Sequence, residues 1–423
     1  MAFHSPCPEL LAPAGNPVKF QAALLYGADA VYLGGPSLNL RAGADGFGRE
    51  ALSDALVQAH SSNVKIYYCL NAFPQEKDLG LVRTCLELLS DMGDACVDGL
   101  IVADPGVFFL ARKILPHVPI HVSTQANTGN SAAAAFWREL GATRINLARE
   151  LALGDIRSLA RAVPDLELEM FVHGAMCLAL SGRCSLSAYL NARSANKGSC
   201  TQPCRFKYRA KAMAVEEQLR PGEILWEVLE DEDYTAFFSP RDLCLVKYLP
   251  WIWKNQIRAV KIEGRMRSAA YVALTCDVYR TALDDLGMGR FRPSLYLHEL
   301  GLALHRPMDS GFFLPGAPST TARRWDCAGR MTMVGHLIRQ EGQEKWMVQV
   351  LDRWDAAKPL ELVLPGLRRP VVEASEYGLE NERGEKLAVA HPGQRVLLSC
   401  GHPSCRPGMF VRQDQPERIS PTR

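Results

Sequence analysis

The sequence predicts a (β/α)8 barrel of the TIM type, with a cysteine-rich insertion and a small C-terminal all-β domain. Three observations predict it. Short β-rich runs alternate with helical segments from about residue 9 to residue 285, the pattern of a parallel sheet with helical crossovers. Counting gives eight strand–helix units, which suits a closed barrel better than an open doubly wound sheet, and no GxGxxG turn follows the first run. From about Leu297 the pattern changes to short alternating runs separated by Gly, Pro and charges.

The elements follow in order. Glu9 to Gly15 reads as the first strand, and Pro17 to Gly27 carries apolar residues at helical spacing before a glycine stop. Ala30 to Gly34 is a buried strand, apolar throughout as a parallel strand covered on both faces must be. The loop Asn39 to Phe47 is glycine-rich; it reads either as a connector or as a cradle for phosphate or carboxylate. Helices near Arg49–Ser62, Leu79–Met92, Gly106–Leu115, Ala132–Leu140 and Ile156–Ala162 alternate with strands at Lys65–Ala72, Gly99–Ala103, Ile120–Thr124, Arg144–Leu147 and Leu166–Val172. A helix near Leu243–Trp253, the strand Ala259–Glu263 and a helix over Ser268–Leu283 complete the barrel. The domains are then 1–295 for the barrel, interrupted by the cysteine loop at 173–244, a linker at 296–325, a small β-barrel or sandwich at 326–412 and a disordered tail at 413–423.

Composition narrows the class. The chain is 48% hydrophobic and 22% charged, ordinary for a globular protein, and no apolar run reaches membrane-span length. The start lacks a basic segment followed by an apolar core, so no signal peptide is expected. Thirteen cysteines without a secretion signal point to reduced thiols in the cytosol, some of them ligands. A net charge of +2 gives no overall field for nucleic acid, so an RNA partner would need a local basic patch.

The insertion holds Cys177, Cys184, Cys200 and Cys204, with gaps of six, fifteen and three residues. Thiolates are soft ligands, and by spacing alone the set is open to an iron–sulfur cluster, to zinc or to unligated thiols. Only Cys200 and Cys204 approach the tight knuckle that zinc favours. Cys244 is a fifth candidate; with Cys204 present it reads as a small buried residue, and whether it replaces one of the four stays open. Cys400 and Cys405 resemble half a zinc site without a second half.

The string Glu169, Phe171, Gly174, Ala175, Met176, Cys177, Ser181, Gly182, Cys184 and Ser187, ungapped over nineteen residues, resembles the signature of the U32 peptidase family. That family includes collagenase-like proteases, bacterial hydroxylases of a transfer-RNA wobble uridine or a ribosomal cytidine, and a pair of ubiquinone-biosynthesis proteins. The resemblance implies a barrel and a four-iron four-sulfur cluster on Cys177, Cys184, Cys200 and Cys204. Its RNA hydroxylases are associated with prephenate, a dicarboxylate.

In such a barrel the active site lies at the C-terminal ends of the strands. That rule selects Asn71, Asp104, Gln125, Asn127, Arg149, Glu150, His173, Glu263 and Arg265. His173, Glu263 and Asp104 are the candidate catalytic groups. Arg149, Arg265, Gln125, Asn71 and Lys261 are the candidate substrate-binding groups, with the two arginines matching carboxylate geometry. Lys261 and Glu263 alternate in one strand and read equally as a buried ion pair. In the β domain Arg339, Lys345, Arg368 and Arg369 are candidates for RNA phosphates. Neither GxSxG nor HExxH is present, and a His173–Cys177 pair would use a probable cluster ligand, so the chemical case for proteolysis is poor. The leading expectation is an iron–sulfur RNA hydroxylase using a prephenate-like donor. The alternatives are a peptidase, and a cluster-bearing subunit of a larger hydroxylation complex with a protein partner.

Overall fold

The structure is a computed structural model. It describes residues 5–40, 46–93, 96–177, 179–180, 183–191, 193–206, 229–231, 234–236, 241–303, 306–314, 325 and 330–415. Most of the possible cradle loop, Ser181 and Gly182 of the signature, much of the expected linker, Cys327 and the tail beyond 415 lie outside the described residues.

The first elements alternate as expected: β1 (Glu9–Pro13), α1 (Pro17–Leu25), β2 (Ala30–Leu33), α2 (Arg49–Ser61), β3 (Lys65–Leu70), α3 (Leu79–Ser90) and β4 (Gly99–Val102). Then come α4 (Pro105–Ile114), β5 (Ile120–Val122), α5 (Ser131–Glu139), β6 (Arg144–Asn146), α6 (Leu153–Ala162) and β7 (Glu167–Ala175). The insertion carries α7 (Leu186–Asn191), the hairpin strands β8 (Leu229–Asp231) and β9 (Tyr234–Ala236), and β10 (Asp242–Cys244). The chain re-enters the barrel through α8 (Leu249–Lys254), β11 (Ala259–Ile262) and α9 (Ala269–Gly287). Neighbouring strands from β1 to β7 pair in parallel, and β11 closes the ring by pairing with both β7 and β1. Asn16, Asp104, Asn130 and Ser268 start α1, α4, α5 and α9 by accepting a backbone N–H of the first turn.

Side-chain alternation decides what fills the barrel. Glu9 and Leu11, Tyr67 and Cys69, His121, Arg144 and Asn146, Glu169 and Phe171, and Lys261 sit at matching parity on their strands. A small apolar cluster of Leu11, Ala30, Tyr32, Tyr67, Cys69 and Ile101 forms part of this interior. Ion pairs fill much of the rest. Arg144 lies 2.6 Å from Glu9 and 2.6 Å from Glu167, and Lys261 lies 2.7 Å from Glu169. The partner of Lys261 is therefore Glu169 across the sheet rather than Glu263 on its own strand. Truncating one member of such a buried pair costs about 3–5 kcal/mol.

Two expected elements differ. Residues 242–244 are a strand, not the start of a helix, because β10 pairs antiparallel with the end of β7, Cys244 opposite His173. The region expected to be a linker opens with α10 (Pro293–Ala303) and continues into β12 (Met308–Asp309), which joins β10.

The C-terminal region comprises β13 (Met331–Gly342), β14 (Lys345–Val350), β15 (Trp354–Asp355), β16 (Leu360–Val363), β17 (Val371–Val372), β18 (Tyr377–Glu380), β19 (Val389–Ala390), β20 (Arg395–Cys400) and β21 (Phe410–Asp414). Seven of these form one antiparallel sheet, ordered β17-β16-β21-β13-β14-β20-β18, and β15 pairs with β19. No pairing among the described residues closes this sheet into a barrel, and its last strand runs past the expected boundary at 412. It docks on α9 and α10. Arg412 bonds Glu299, Arg369 bridges Glu299 and Asp277, and the Tyr26 hydroxyl donates to the Val363 carbonyl. No described helix is long and apolar enough to cross a membrane.

Candidate functional site

At the C-terminal end of the barrel strands lies a small cavity of about 20 Å³ lined by Tyr32, Asn71, Gln125, Asn146, Arg149 and Phe171, with Lys261, Glu263 and Arg265. All five candidate substrate-binding residues and Glu263 are brought together here. Asn71 donates to Ser123 Oγ at 3.3 Å and to Gln125 Oε1 at 3.4 Å, and Ser123 also donates to Gln125. Arg149 donates to the Ala175 carbonyl at 2.9 Å and lies over the Phe171 ring. The Tyr32 hydroxyl donates to the Ile262 carbonyl and lies 3.4 Å from Glu263 Oε2.

Arg265 is the unusual member. It is 4% exposed, and its guanidinium carbon sits 5.7 Å from the Tyr32 ring centre. Among the described residues no carboxylate pairs with it. Asn146 adds a buried carbonyl oxygen without a partner. A buried cation without a counter-charge and an unsatisfied amide are costly unless a ligand completes them.

The loop that carries Arg265 is held by residues that sequence reasoning missed. Lys19 Nζ donates to the Arg265 carbonyl at 2.7 Å. A Cβ on Gly15 would stand 2.2 Å from that same oxygen, so only glycine fits. The glycine directly after the first strand was the available signal.

Two candidate catalytic residues lie elsewhere. Asp104 follows an inward position by an odd number of residues, so it points outward and caps α4, accepting from the Val107 N–H at 3.0 Å. His173 is displaced by a β-bulge: Lys261 pairs with Phe171, but Ile262 pairs with His173. The extra residue turns the imidazole outward, between Tyr271 and Tyr279 of α9. Gly174 makes the turn possible with φ +109°, where a Cβ would stand 2.4 Å from the Glu263 carbonyl oxygen.

Burial pushes the His173 imidazole down to about 3, with Arg267 adding to the effect, and burial also lowers His121 well below its usual value. The unfolded chain takes up these protons near pH 6.5 while the folded chain does not. The resulting stability is therefore complete above that pH and is lost as pH falls below it. His173→Phe should remove about 1 kcal/mol of the loss between pH 6.5 and 5.5. Urea unfolding at the two pH values checks this; an unchanged pH dependence would refute it.

The cysteine segment lies across the mouth. Phe73 N–H donates to the Asn196 carbonyl at 3.0 Å, Lys197 to Gln75 Oε1 at 2.6 Å, and Arg183 Nε to the Gln125 carbonyl at 3.2 Å. Its two halves are stitched together. The Cys184 N–H donates to Asn196 Oδ1, the Thr201 N–H to Ser187 Oγ, and Asn191 Nδ2 to Thr201 Oγ1. Cys177 and Cys200 are exposed, Cys184 and Cys204 half-buried, and among the described residues none of the four forms a disulfide. Their chemistry suits a soft metal centre, although among the described residues no three His, Cys, Asp or Glu side chains converge on one metal site. Cys244 is fully buried behind β7, where burial pushes its thiol up to about 11, so it is not grouped with the four. Cys405 Sγ lies 3.8 Å from Cys400 Sγ in the core of the β domain.

Three of the four candidate phosphate contacts in the β domain are paired. Arg339 bonds Glu341, Lys345 bonds Glu380, and Arg369 is enclosed by Asp277 and Glu299. A protease pair is absent as well: His173 is sealed beneath α9 while Cys177 is exposed.

The profile described as Peptidase family U32 matches residues 15–323. The chain is 34% identical to tRNA hydroxylation protein P of Escherichia coli K12, over 91% of this chain and 92% of that protein. It is 42% identical to tRNA hydroxylation protein P of Helicobacter pylori J99, over 72% of this chain and 71% of that protein. It is also 34% identical to the 23S rRNA 5-hydroxycytidine C2501 synthase of E. coli K12, over 66% of this chain and 39% of that protein. With its profile match, its end-to-end relatives and its signature at the mouth of a closed eight-stranded barrel, the chain belongs to peptidase family U32.

Proposed function

We propose that this chain hydroxylates an RNA base at the mouth of its barrel. The observation that carries the reading is the polar cavity built around the buried Arg265, which no described carboxylate pairs, in a chain whose relatives are named for tRNA and rRNA hydroxylation. Arg265 and Arg149 would hold a small dicarboxylate of the prephenate class, the guanidinium fork matching a carboxylate. Asn71, Gln125 and Asn146 offer amides for the polar edge of a base, and the Glu263 carboxylate can take or return a proton there. Cys177, Cys184, Cys200 and Cys204 would hold a four-iron four-sulfur cluster, which supplies redox or Lewis-acid chemistry beside the mouth when bound. The cysteine segment is hydrogen-bonded to the loops at Phe73, Gln75 and Gln125, which would hold such a centre beside the mouth.

Two measurements test this. Mass spectrometry of RNA nucleosides should show a hydroxylated base in the parent strain that is missing from a deletion strain; identical profiles would end the proposal. Anaerobically purified protein should show broad visible absorption and about four irons per chain, lost in Cys177→Ala. Zinc alone would remove the cluster from the reading.

A further inference from the structure

We propose that the outer face of the cysteine segment is a stacking platform for unpaired RNA flanking the target base. The inference rests on the RNA reading above and adds where and in what form the RNA is held.

The first observation is charge. From Met170 to Phe206 the chain contains Arg183, Arg193, Lys197 and Arg205 but no Asp or Glu, in a protein whose net charge is only +2. Arg183 and Arg193 are exposed, and among the described residues neither forms an ion pair. This is the local basic patch that a nearly neutral chain needs to attract phosphates. Three of the four candidates in the β domain, Arg339, Lys345 and Arg369, are instead held by carboxylates.

The second observation is exposed aromatic surface on the segment and beside it. Tyr189 on α7 is 86% exposed, Phe73 60% and Phe206 41%. Phe73 is tied to the segment through the Asn196 carbonyl, and Tyr189 and Phe206 lie on its two stitched halves. Aromatic rings interleaved with unpaired cations are what unstacked bases bind, since every base offers a π-face and every linkage a phosphate. A duplex hides its base faces and gains nothing from the rings.

The third observation is position. The segment crosses the loops after β3 and β5 that border the cavity. A base entering the mouth must leave its stack, and its neighbours then need new stacking partners. The proposal puts Tyr189 and its neighbours where those bases would emerge. An anionic membrane also attracts basic and aromatic groups, but α7 spans only Leu186–Asn191 and offers no extended apolar face to a bilayer.

The test uses the full chain with its metal, a labelled RNA hairpin with an unpaired loop, and the fully paired duplex of the same sequence. Tyr189→Ala should weaken hairpin binding about tenfold and leave duplex binding unchanged, with Tyr189→Phe close to the parent. The Arg183→Ala/Arg193→Ala pair should lower the salt dependence of hairpin binding by about 1.4 in the log–log slope. Equal hairpin binding by Tyr189→Ala and the parent would overturn the proposal. So would flotation of the parent, but not Tyr189→Ala, with phosphatidylserine vesicles. Nucleoside analysis separates the two levels. An unchanged RNA profile in the deletion strain removes the hydroxylase reading, whereas full hydroxylation by Tyr189→Ala with parental binding removes only the platform.

Discussion

Arg265→Gln should fold, melt no lower than its parent, and lose about 10²-fold in RNA hydroxylation, the usual cost of removing one well-placed charged donor. The argument starts from burial. A guanidinium that is 4% exposed and that no carboxylate pairs among the described residues contributes little to the fold. Such a residue persists where function needs the charge. Arg265→Lys keeps the charge but loses the planar fork, so it should recover only part of the activity. The readouts are the hydroxylated fraction of RNA in a complemented deletion strain and a thermal melt of the purified chain. A clear fall in melting temperature would make Arg265 a structural residue and sink the assignment.

Arg412→Ala should have the largest effect on stability, about 3–5 kcal/mol. The Arg412 side chain is 2% exposed and bonds Glu299 at 2.9 Å and 3.1 Å and Glu361 at 2.6 Å. Removing it leaves Glu361 without its arginine and leaves Glu299 to Arg369, which already serves Asp277. Because Glu299 belongs to α10 and Asp277 to α9, the damage falls on the joint between barrel and β domain. Urea unfolding measures it, with Arg339→Ala as a control, since that arginine pairs with Glu341 on the surface. A loss no greater than the control's would refute the account.

How far the sequence was legible depends on whether the deciding contact was local. The eight barrel strands were readable because each is a short apolar run between helical segments. Asn71, Gln125, Arg149, Glu263 and Arg265 were placed by the strand-end rule and do meet at one cavity. His173 was misplaced because a single-residue bulge reverses parity, and nothing in its own strand announces the bulge. Asp104 was misplaced by counting strand ends without parity. The apolar spacing after Pro293 was the missed sign of α10. The pairing of Arg369 with Asp277 and of Arg412 with Glu299 spans roughly a hundred positions, so free and enclosed arginines looked alike.

β7 and β11 are direct neighbours in the wall, so everything between Ala175 and Ala259 is an excursion that leaves the ring and returns. The wall's hydrogen bonds close without that excursion. The centre proposed for the four cysteines would therefore not have to be delivered during folding: the polypeptide could complete its barrel first and take up such a centre afterwards. If the proposed centre were lost to oxygen, it could then be rebuilt on the same molecule without replacing the protein.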